Sequence, residues 1–284
     1  MRYSGSLYSR LPMHHNSIAI QNLSFTYPDG TQALRQINLH LRATERVALV
    51  GANGSGKSTL LQHLNGILAH QSGAIVIGPY EMRPENIPAI RDFVGLVFQN
   101  PDDQLFMPTV REDVCFGPLN QGIQGAALAD RYHQAMTAVA LDPHYYGDRP
   151  PTHLSGGEKK RVAIAGVLAM QPQVLVFDEP SAQLDPRSRR QLIDLLRNLP
   201  LTQLIATHDL DLALELCDRT IVLHQGQIVR DAPTAEVLSD TVFLEQHCLE
   251  APASYRRPYC LLADRPHLPL PQPLHPSQYL VEHP

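Results

Sequence analysis

The fold turns on Arg46-Val-Ala-Leu-Val-Gly-Ala-Asn-Gly-Ser-Gly-Lys-Ser-Thr59. A short apolar strand, Arg46–Val50, runs straight into Gly51-Ala-Asn-Gly-Ser-Gly-Lys-Ser-Thr59, which matches G-x-x-x-x-G-K-[ST]. Glycines at 51, 54 and 56 let consecutive backbone N–H groups curl around a phosphate. Ala52, Asn53 and Ser55 fill the positions between them. The helix that follows adds the partial positive charge of its N-terminus. Lys57 has the reach for the β- and γ-phosphates, the Ser58 hydroxyl for a Mg²⁺ ion, and Thr59 for the α-phosphate. The expected ligands are therefore ATP and Mg²⁺. The competing reading is a glycine turn that binds nothing, and eight constrained positions between a strand and a helix weigh against it.

Outward from this loop, strands alternate with helices. Residues 18–20 and 23–25 read as short strands, Asp29-Gly30 as a hairpin turn and residues 37–41 as a half-buried strand. After Lys57, apolar residues at 60, 61, 64, 67 and 68 have helical spacing, and the helix should end near Gly66 or Gly73. Residues 94–98 form a buried strand. From about 101 to 152 the pattern is helical, punctuated by Pro and Gly. Then come a helix over 162–170, a strand over Val174–Asp178, an amphipathic helix over 187–199 and a strand over 203–207. A helix over 210–217, a strand over 220–223 and a turn at Gln225-Gly226 close this region. The alternation predicts an α/β fold with a largely parallel sheet. Residues 237–249 read as one further helix. Beyond 251 prolines dominate, excluding long helices and central strands.

Two other motifs bear on chemistry. In Val174-Leu-Val-Phe-Asp178-Glu179 an apolar strand ends in two carboxylates. Asp178 is placed beside the metal, opposite Ser58, and Glu179 where it can polarise a water for in-line attack on the γ-phosphate. Alone, such an ending is more often a solvated strand terminus; its weight comes from the loop. Leu154-Ser-Gly-Gly-Glu158 then offers Ser155, Gly156 and Gly157 at another helix N-terminus, a second anion cradle. One nucleotide does not need two cradles within one chain. Two make sense if chains pair head to tail, each capping the other's ATP.

In this order and spacing, these three motifs resemble the nucleotide-binding subunits of ABC transporters over roughly residues 17–235. The resemblance implies a P-loop NTPase of α/β class: a RecA-like core, an antiparallel β-subdomain and an α-helical subdomain at about 100–160. A loose leader, 1–16, and a C-terminal extension with a Pro-rich tail, 236–284, flank it. It further implies that Tyr27 stacks on adenine, that Gln99 contacts Mg²⁺ and senses a transmembrane partner, and that His208 contacts the γ-phosphate. In Ser181-Ala-Gln-Leu-Asp185, Asp185 ends the loop that crosses the dimer interface. The run Val94-Gly-Leu-Val-Phe-Gln-Asn-Pro-Asp-Asp-Gln-Leu-Phe106 narrows the likeness to the ATPases of energy-coupling-factor importers. So do Phe25-Thr-Tyr-Pro-Asp-Gly30 and Arg161-Val-Ala-Ile-Ala-Gly-Val-Leu-Ala169. Partners implied are a second ATPase subunit, identical or different, and a transmembrane T-component received in a groove of the helical subdomain. Through that component a substrate-binding membrane subunit is engaged indirectly.

Composition sets outer limits. Hydrophobic residues make up 43% and charged residues 18% of 284, ordinary for a globular chain. The net charge of −5 argues against nucleic acid as the main partner. Four scattered cysteines without a C-x-x-C pair predict neither a disulfide framework nor a zinc site. Fourteen histidines, His14 and His15 adjacent, read as surface residues. The opening MRYSGSLYSRLPMHHN lacks the apolar region of a signal peptide, and no run approaches the ~18 apolar residues of a membrane span. The expectation is a peripheral subunit on the cytoplasmic face of the cell membrane, driving import of cobalt or nickel. The alternatives are vitamin import, an exporter ATPase, and a soluble ABC ATPase acting on ribosomes or DNA. One motif set without sustained heptads counts against the last.

Overall fold

A computed structural model describes residues 16–255. In chain order the elements are β1 (Asn16–Thr26), β2 (Gln32–Arg42), β3 (Arg46–Val50), α1 (Lys57–Leu64), β4 (Ser72–Ile77), β5 (Tyr80–Glu81), α2 (Ile87–Phe93), β6 (Val94–Val97), α3 (Val110–Asn120) and α4 (Gly125–Ala138). They continue with α5 (Pro143–Tyr146), α6 (Gly156–Ala169), β7 (Val174–Asp178), α7 (Pro186–Asn198), β8 (Thr202–Thr207), α8 (Leu210–Leu216), β9 (Arg219–His224), β10 (Gln227–Pro233), α9 (Thr234–Ser239) and α10 (Thr241–Gln246).

Two sheets result. One is four-stranded and antiparallel, in the order β2-β1-β4-β5; the other is six-stranded, β10-β9-β3-β8-β7-β6. The larger sheet is parallel except for β10, which pairs antiparallel with β9. Its central strands β3, β8 and β7 are almost wholly buried because both faces are covered. Period-two alternation assigns each side chain to a layer. Ala48 and Val50 of β3, with Leu175 and Phe177 of β7, face the core built on α6, α7 and α8. Val47 and Leu49, with Val174 and Val176, face the core shared with α1 and the antiparallel sheet.

The expected fold class is the one found: a phosphate-loop α/β core, an antiparallel β-subdomain, and helices α3–α5 packed on α6. Several local readings need correction. Residues 18–20 and 23–25 belong to one strand, bulged at Asn22, whose φ of 50° is stabilised by its N–H donating to Asn38 Oδ1 at 3.0 Å. The helix expected from 162 begins at Gly156, because a Ser155–Glu158 capping box starts it six residues earlier. The single helix expected over 237–249 is two, broken at Asp240, whose carboxylate caps Phe243 N–H and pairs with Arg230. Strands β4, β5 and β10 and helix α2 were not foreseen. The expected leader, apart from Asn16, and the tail beyond 255 lie outside the described residues.

Candidate functional site

Strands β3, β6, β7 and β8 run parallel, so their C-terminal ends meet at one edge of the sheet, where ligands bind in open α/β folds. The loops after β3, β6, β7 and β8 deliver Lys57, Gln99, Glu179 and His208 there. They line a cavity of about 600 Å³ together with Tyr27, Asn53, Gly54, Gly56, Ser58, Thr59 and Asp178. Gly51, Ala52 and Ser55 lie behind its wall.

The loop holds its shape through its glycines and its neighbours. Gly56 has φ 107°, and a Cβ there would lie 2.6 Å from the Ala33 carbonyl. Gly226 N–H donates to Ser55 O at 2.9 Å, and Arg35 N–H donates to Gly226 O at 2.8 Å. The β9–β10 turn thus laces the phosphate loop to β2. The same turn and the start of β2 supply wall residues that sequence reading missed: Thr31, Gln32, Ala33, Arg35, Gln225 and Gly226. The only local signal was the Gln225-Gly226 turn, which marked a reversal and no site.

Lys57 is buried, and its ammonium donates to the carbonyls of Gly51 at 2.7 Å and Ala52 at 3.2 Å. Burial lowers its pKa, while Glu179 and Asp178 pull it back up. Glu179 sits at the end of β7 with φ 46°, a strained value for a residue with a side chain. Its N–H donates to Ala206 O at 2.9 Å, which ties the strained turn to β8. One carboxylate oxygen accepts from His208 N–H at 3.1 Å and lies 2.8 Å from His208 Nδ1; the other is 3.9 Å from Lys57 Nζ. Lys57, Glu179 and His208 are therefore partnered within the site, and a triphosphate must exchange these bonds for its own.

Asp178 accepts a hydrogen bond from Ser58. Burial raises its pKa, helped by the adjacent Glu179, while the Ser58 bond, Lys57 and Lys160 lower it. One carboxylate, one hydroxyl and the Gln99 amide oxygen on a single cavity wall form a hard oxygen set. That set fits Mg²⁺, which keeps waters and takes substrate phosphates in preference to a closed protein cage. Tyr27 packs edge-on to Phe25 at 4.9 Å, and its hydroxyl lies 3.1 Å from Thr59 Oγ1.

Four expected site residues are not brought to this cavity: Ser155, Gly156, Gly157 and Asp185. Ser155 and Gly156 are exposed at the start of α6. Ser155 N–H and Oγ both donate to Glu158 Oε2, at 2.8 and 2.7 Å, and Tyr146 OH donates to Glu158 Oε1 at 2.7 Å. Asp185 caps α7, accepting from the N–H groups of Arg187 and Ser188. A Cβ on Gly157 would lie 2.4 Å from Ser188 Oγ, so the second cradle rests against the start of α7.

Fold and site together define a nucleoside triphosphatase of the phosphate-loop class. The family model described as ABC transporter matches residues 34–182. The chain belongs to the ABC transporter family, as an ATP-binding and ATP-hydrolysing chain with energy-coupling-factor ATPases among its relatives. A provisionally named ABC transporter ATP-binding protein of Gloeobacter violaceus is 56% identical, over 84% of this chain and 98% of its own. The energy-coupling factor transporter ATP-binding protein EcfA of Methanocaldococcus jannaschii is 45% identical, over 83% and 85%. Among solved structures, cbiO1 of Clostridium perfringens, part of the ABC transporter complex cbiONQ, superposes with a TM-score of 0.73. It is 37% identical, over 82% of this chain and 94% of its own.

Proposed function

We propose that this chain is the ATP-hydrolysing subunit of an energy-coupling-factor importer that works in pairs and powers uptake of a transition metal ion, cobalt or nickel. The observation that carries the reading is the divided site. The cavity with Lys57, Asp178, Glu179 and His208 contains none of Ser155–Gly157, of which Ser155 and Gly156 stand exposed at another helix N-terminus. A second copy, or a different ATPase, turned head to tail would supply them.

The roles follow from chemistry and position. Lys57 leaves the carbonyls of Gly51 and Ala52 for the phosphates, and the loop N–H groups replace water around them. Tyr27 offers its ring to adenine, which requires the Tyr27–Thr59 contact to open and frees Thr59 for the α-phosphate. Ser58, Asp178 and Gln99 would hold Mg²⁺, which when bound neutralises charge developing on the transferred phosphoryl group. Glu179, released from His208, accepts a proton from the attacking water, and His208 turns to the γ-phosphate. Ser155, Gly156 and Gly157 of one subunit cap the nucleotide of the other. The loop ending at Asp185 crosses between them.

The coupling partner is a transmembrane T-component. Next to Gln99 the helical subdomain presents Phe106, Phe116 and Leu119, 64%, 37% and 47% exposed, with Phe106 and Phe116 in edge contact at 4.9 Å. Such an apolar face suits a short amphipathic coupling helix. Among the described residues no helix is long and apolar enough to cross a membrane. A peripheral position on the cytoplasmic face of the cell membrane follows from the coupling partner. We take residues 17–235 as the ATP-binding domain and 236–284 as an extension.

The test is co-purification from membranes, reconstitution into vesicles with ATP on the side of this chain, and uptake of labelled cobalt, nickel and vitamins. ATP-dependent metal uptake is expected. Vitamin uptake alone overturns the cargo, and the absence of any membrane partner overturns the importer.

A further inference from the structure

Lys160 lies on α6, directly after the Leu154–Glu158 motif and Lys159. Its side chain is 2% exposed, yet no carboxylate lies within ion-pairing distance of it among the described residues. Its ammonium donates to two consecutive carbonyls of the loop after β6: Phe98 O at 3.1 Å and Gln99 O at 2.5 Å. Burying a lysine this deeply is costly, and simple packing would be served better by leucine or methionine. The Asp178 carboxylate favours the charge from beyond pairing distance, and the Phe98 and Gln99 carbonyls supply the direct bonds that offset the burial.

Other bonds join the same two segments. Phe98 N–H donates to Gln104 Oε1 at 3.2 Å, and Gln104 Nε2 donates to Ala163 O on α6 at 3.0 Å. On the outside, Lys159 Nζ pairs with Asp102 Oδ1 at 2.6 Å; Asp102 is largely exposed and the pair screened, so this tie is weak. The two inner ties grip the backbone on both sides of Gln99, its carbonyl through Lys160 and the preceding N–H through Gln104.

We infer that Lys160, seconded by Gln104, locks the Gln99 turn to helix α6 as one rigid body and is thereby a positioning residue for Gln99 in ATP hydrolysis. The inference rests on the role given to Gln99 above. A turn held at its backbone presents its side chain to the nucleotide in one place. A force on the nearby Phe106–Phe116 face also reaches Ser155 at the head of α6 without being lost in a loose loop.

The test uses the full chain with Mg-ATP. Lys160→Met keeps length and apolar packing and removes every donor. Its kcat should fall about tenfold with KM for ATP within about twofold, since misplacement of a contacting group costs the transition state more than binding. Hydrogen exchange of amides 98–104 should rise about tenfold while amides of β3 and β8 stay as protected as in the parent. Gln104→Met cuts the other tie and should give the same selective rise, which keeps the idea testable if Lys160→Met folds poorly. Lys159→Met should change neither readout. Gln99→Ala separates the two readings. If it leaves kcat unchanged, the role of Gln99 fails. If it lowers kcat while Lys160→Met and Gln104→Met leave kcat and local exchange at parental values, the positioning role of Lys160 is overturned. A rise in exchange across the whole chain would likewise reduce Lys160 to general stability and overturn it.

Discussion

The two helix N-termini proposed as anion cradles, those of α1 and α6, are in opposite states. At α1, Lys57 is 7% exposed and bonded to its own loop, Glu179 is bonded to His208, and a wall of residues from β2 and the β9–β10 turn closes round them. At α6, Ser155 and Gly156 face solvent, and Ser155 is bonded within its own capping box, whose Glu158 also accepts from Tyr146. The first is a preformed pocket with Lys57 and Glu179 already partnered; the second is an open surface, which in the proposed pairing a second subunit's nucleotide would cover. Nucleotide affinity should therefore belong to the α1 side of one chain, and turnover to the meeting of both sides.

The sharpest way to break this division is Glu179→Gln. The amide keeps the shape and loses the proton acceptor. We expect kcat to fall about 10²- to 10⁴-fold with ATP affinity retained, read by turnover and equilibrium binding. Ample turnover in this variant would refute Glu179 as the principal base. Next in size is Lys57→Ala, which removes charged hydrogen bonds to phosphate. Affinity should weaken roughly 10- to 100-fold by titration calorimetry. Unchanged affinity would move the nucleotide elsewhere.

A smaller effect is expected on the open side. In Gly157→Ala the new Cβ would meet Ser188 Oγ at 2.4 Å and Ser188 Cβ at 2.9 Å, so either α7 or the cradle must shift. We expect kcat to fall several-fold with ATP affinity of the isolated chain unchanged, because the α1 pocket does not include Gly157. Ser188→Gly in the same chain should recover most of the loss. A matching loss of affinity would show the two sides to be coupled within one chain, contrary to the comparison.

Much of this division was legible in the sequence, because both cradles are local. Residues 51–59 and 154–158 each hold their glycines, hydroxyl and helix start within one contiguous stretch. Asp178 and Glu179 could be read because an apolar strand must end at the sheet edge where the loop lies. What was illegible is long-range. Gly226 and Arg35 reach the site only because β9 lies beside β3 and β10 beside β9, and no local pattern announces that order. Strands β4 and β5 were hidden for a similar reason: β4 is six residues and pairs with β1, far back in the chain, and β5 is two residues paired with β4. The state of the site was hidden too. Lys57 folded on its own carbonyls and Glu179 on His208 are tertiary facts that no local stretch announces.

The last difference concerns acid. Behind the α1 pocket, His63 is fully buried; its Nδ1 lies 2.7 Å from Thr59 O, which makes that nitrogen the donor, and Nε2 has no hydrogen-bond partner among the described residues. Phe25 packs edge-on against the ring at 4.8 Å. Burial lowers the pKa of His63 below its ordinary 6.5, the Thr59 carbonyl opposing this and His70 reinforcing it. The sign follows by linkage: below about 6.5 the unfolded chain takes up a proton that the folded chain refuses, so stability is full above that pH and declines as pH falls through it. Among the described residues no histidine is buried behind Ser155, and burial lowers the pKa of Lys160 on α6 only to about 8, so that group is charged through the acid range. Acidification from pH 7.5 to 5.5 should thus lower the urea midpoint of the parent more than that of His63→Leu. It should also raise hydrogen exchange in α1 before α6. Equal midpoint shifts in the two proteins would remove His63 from the account and leave the closed side no more acid-sensitive than the open one.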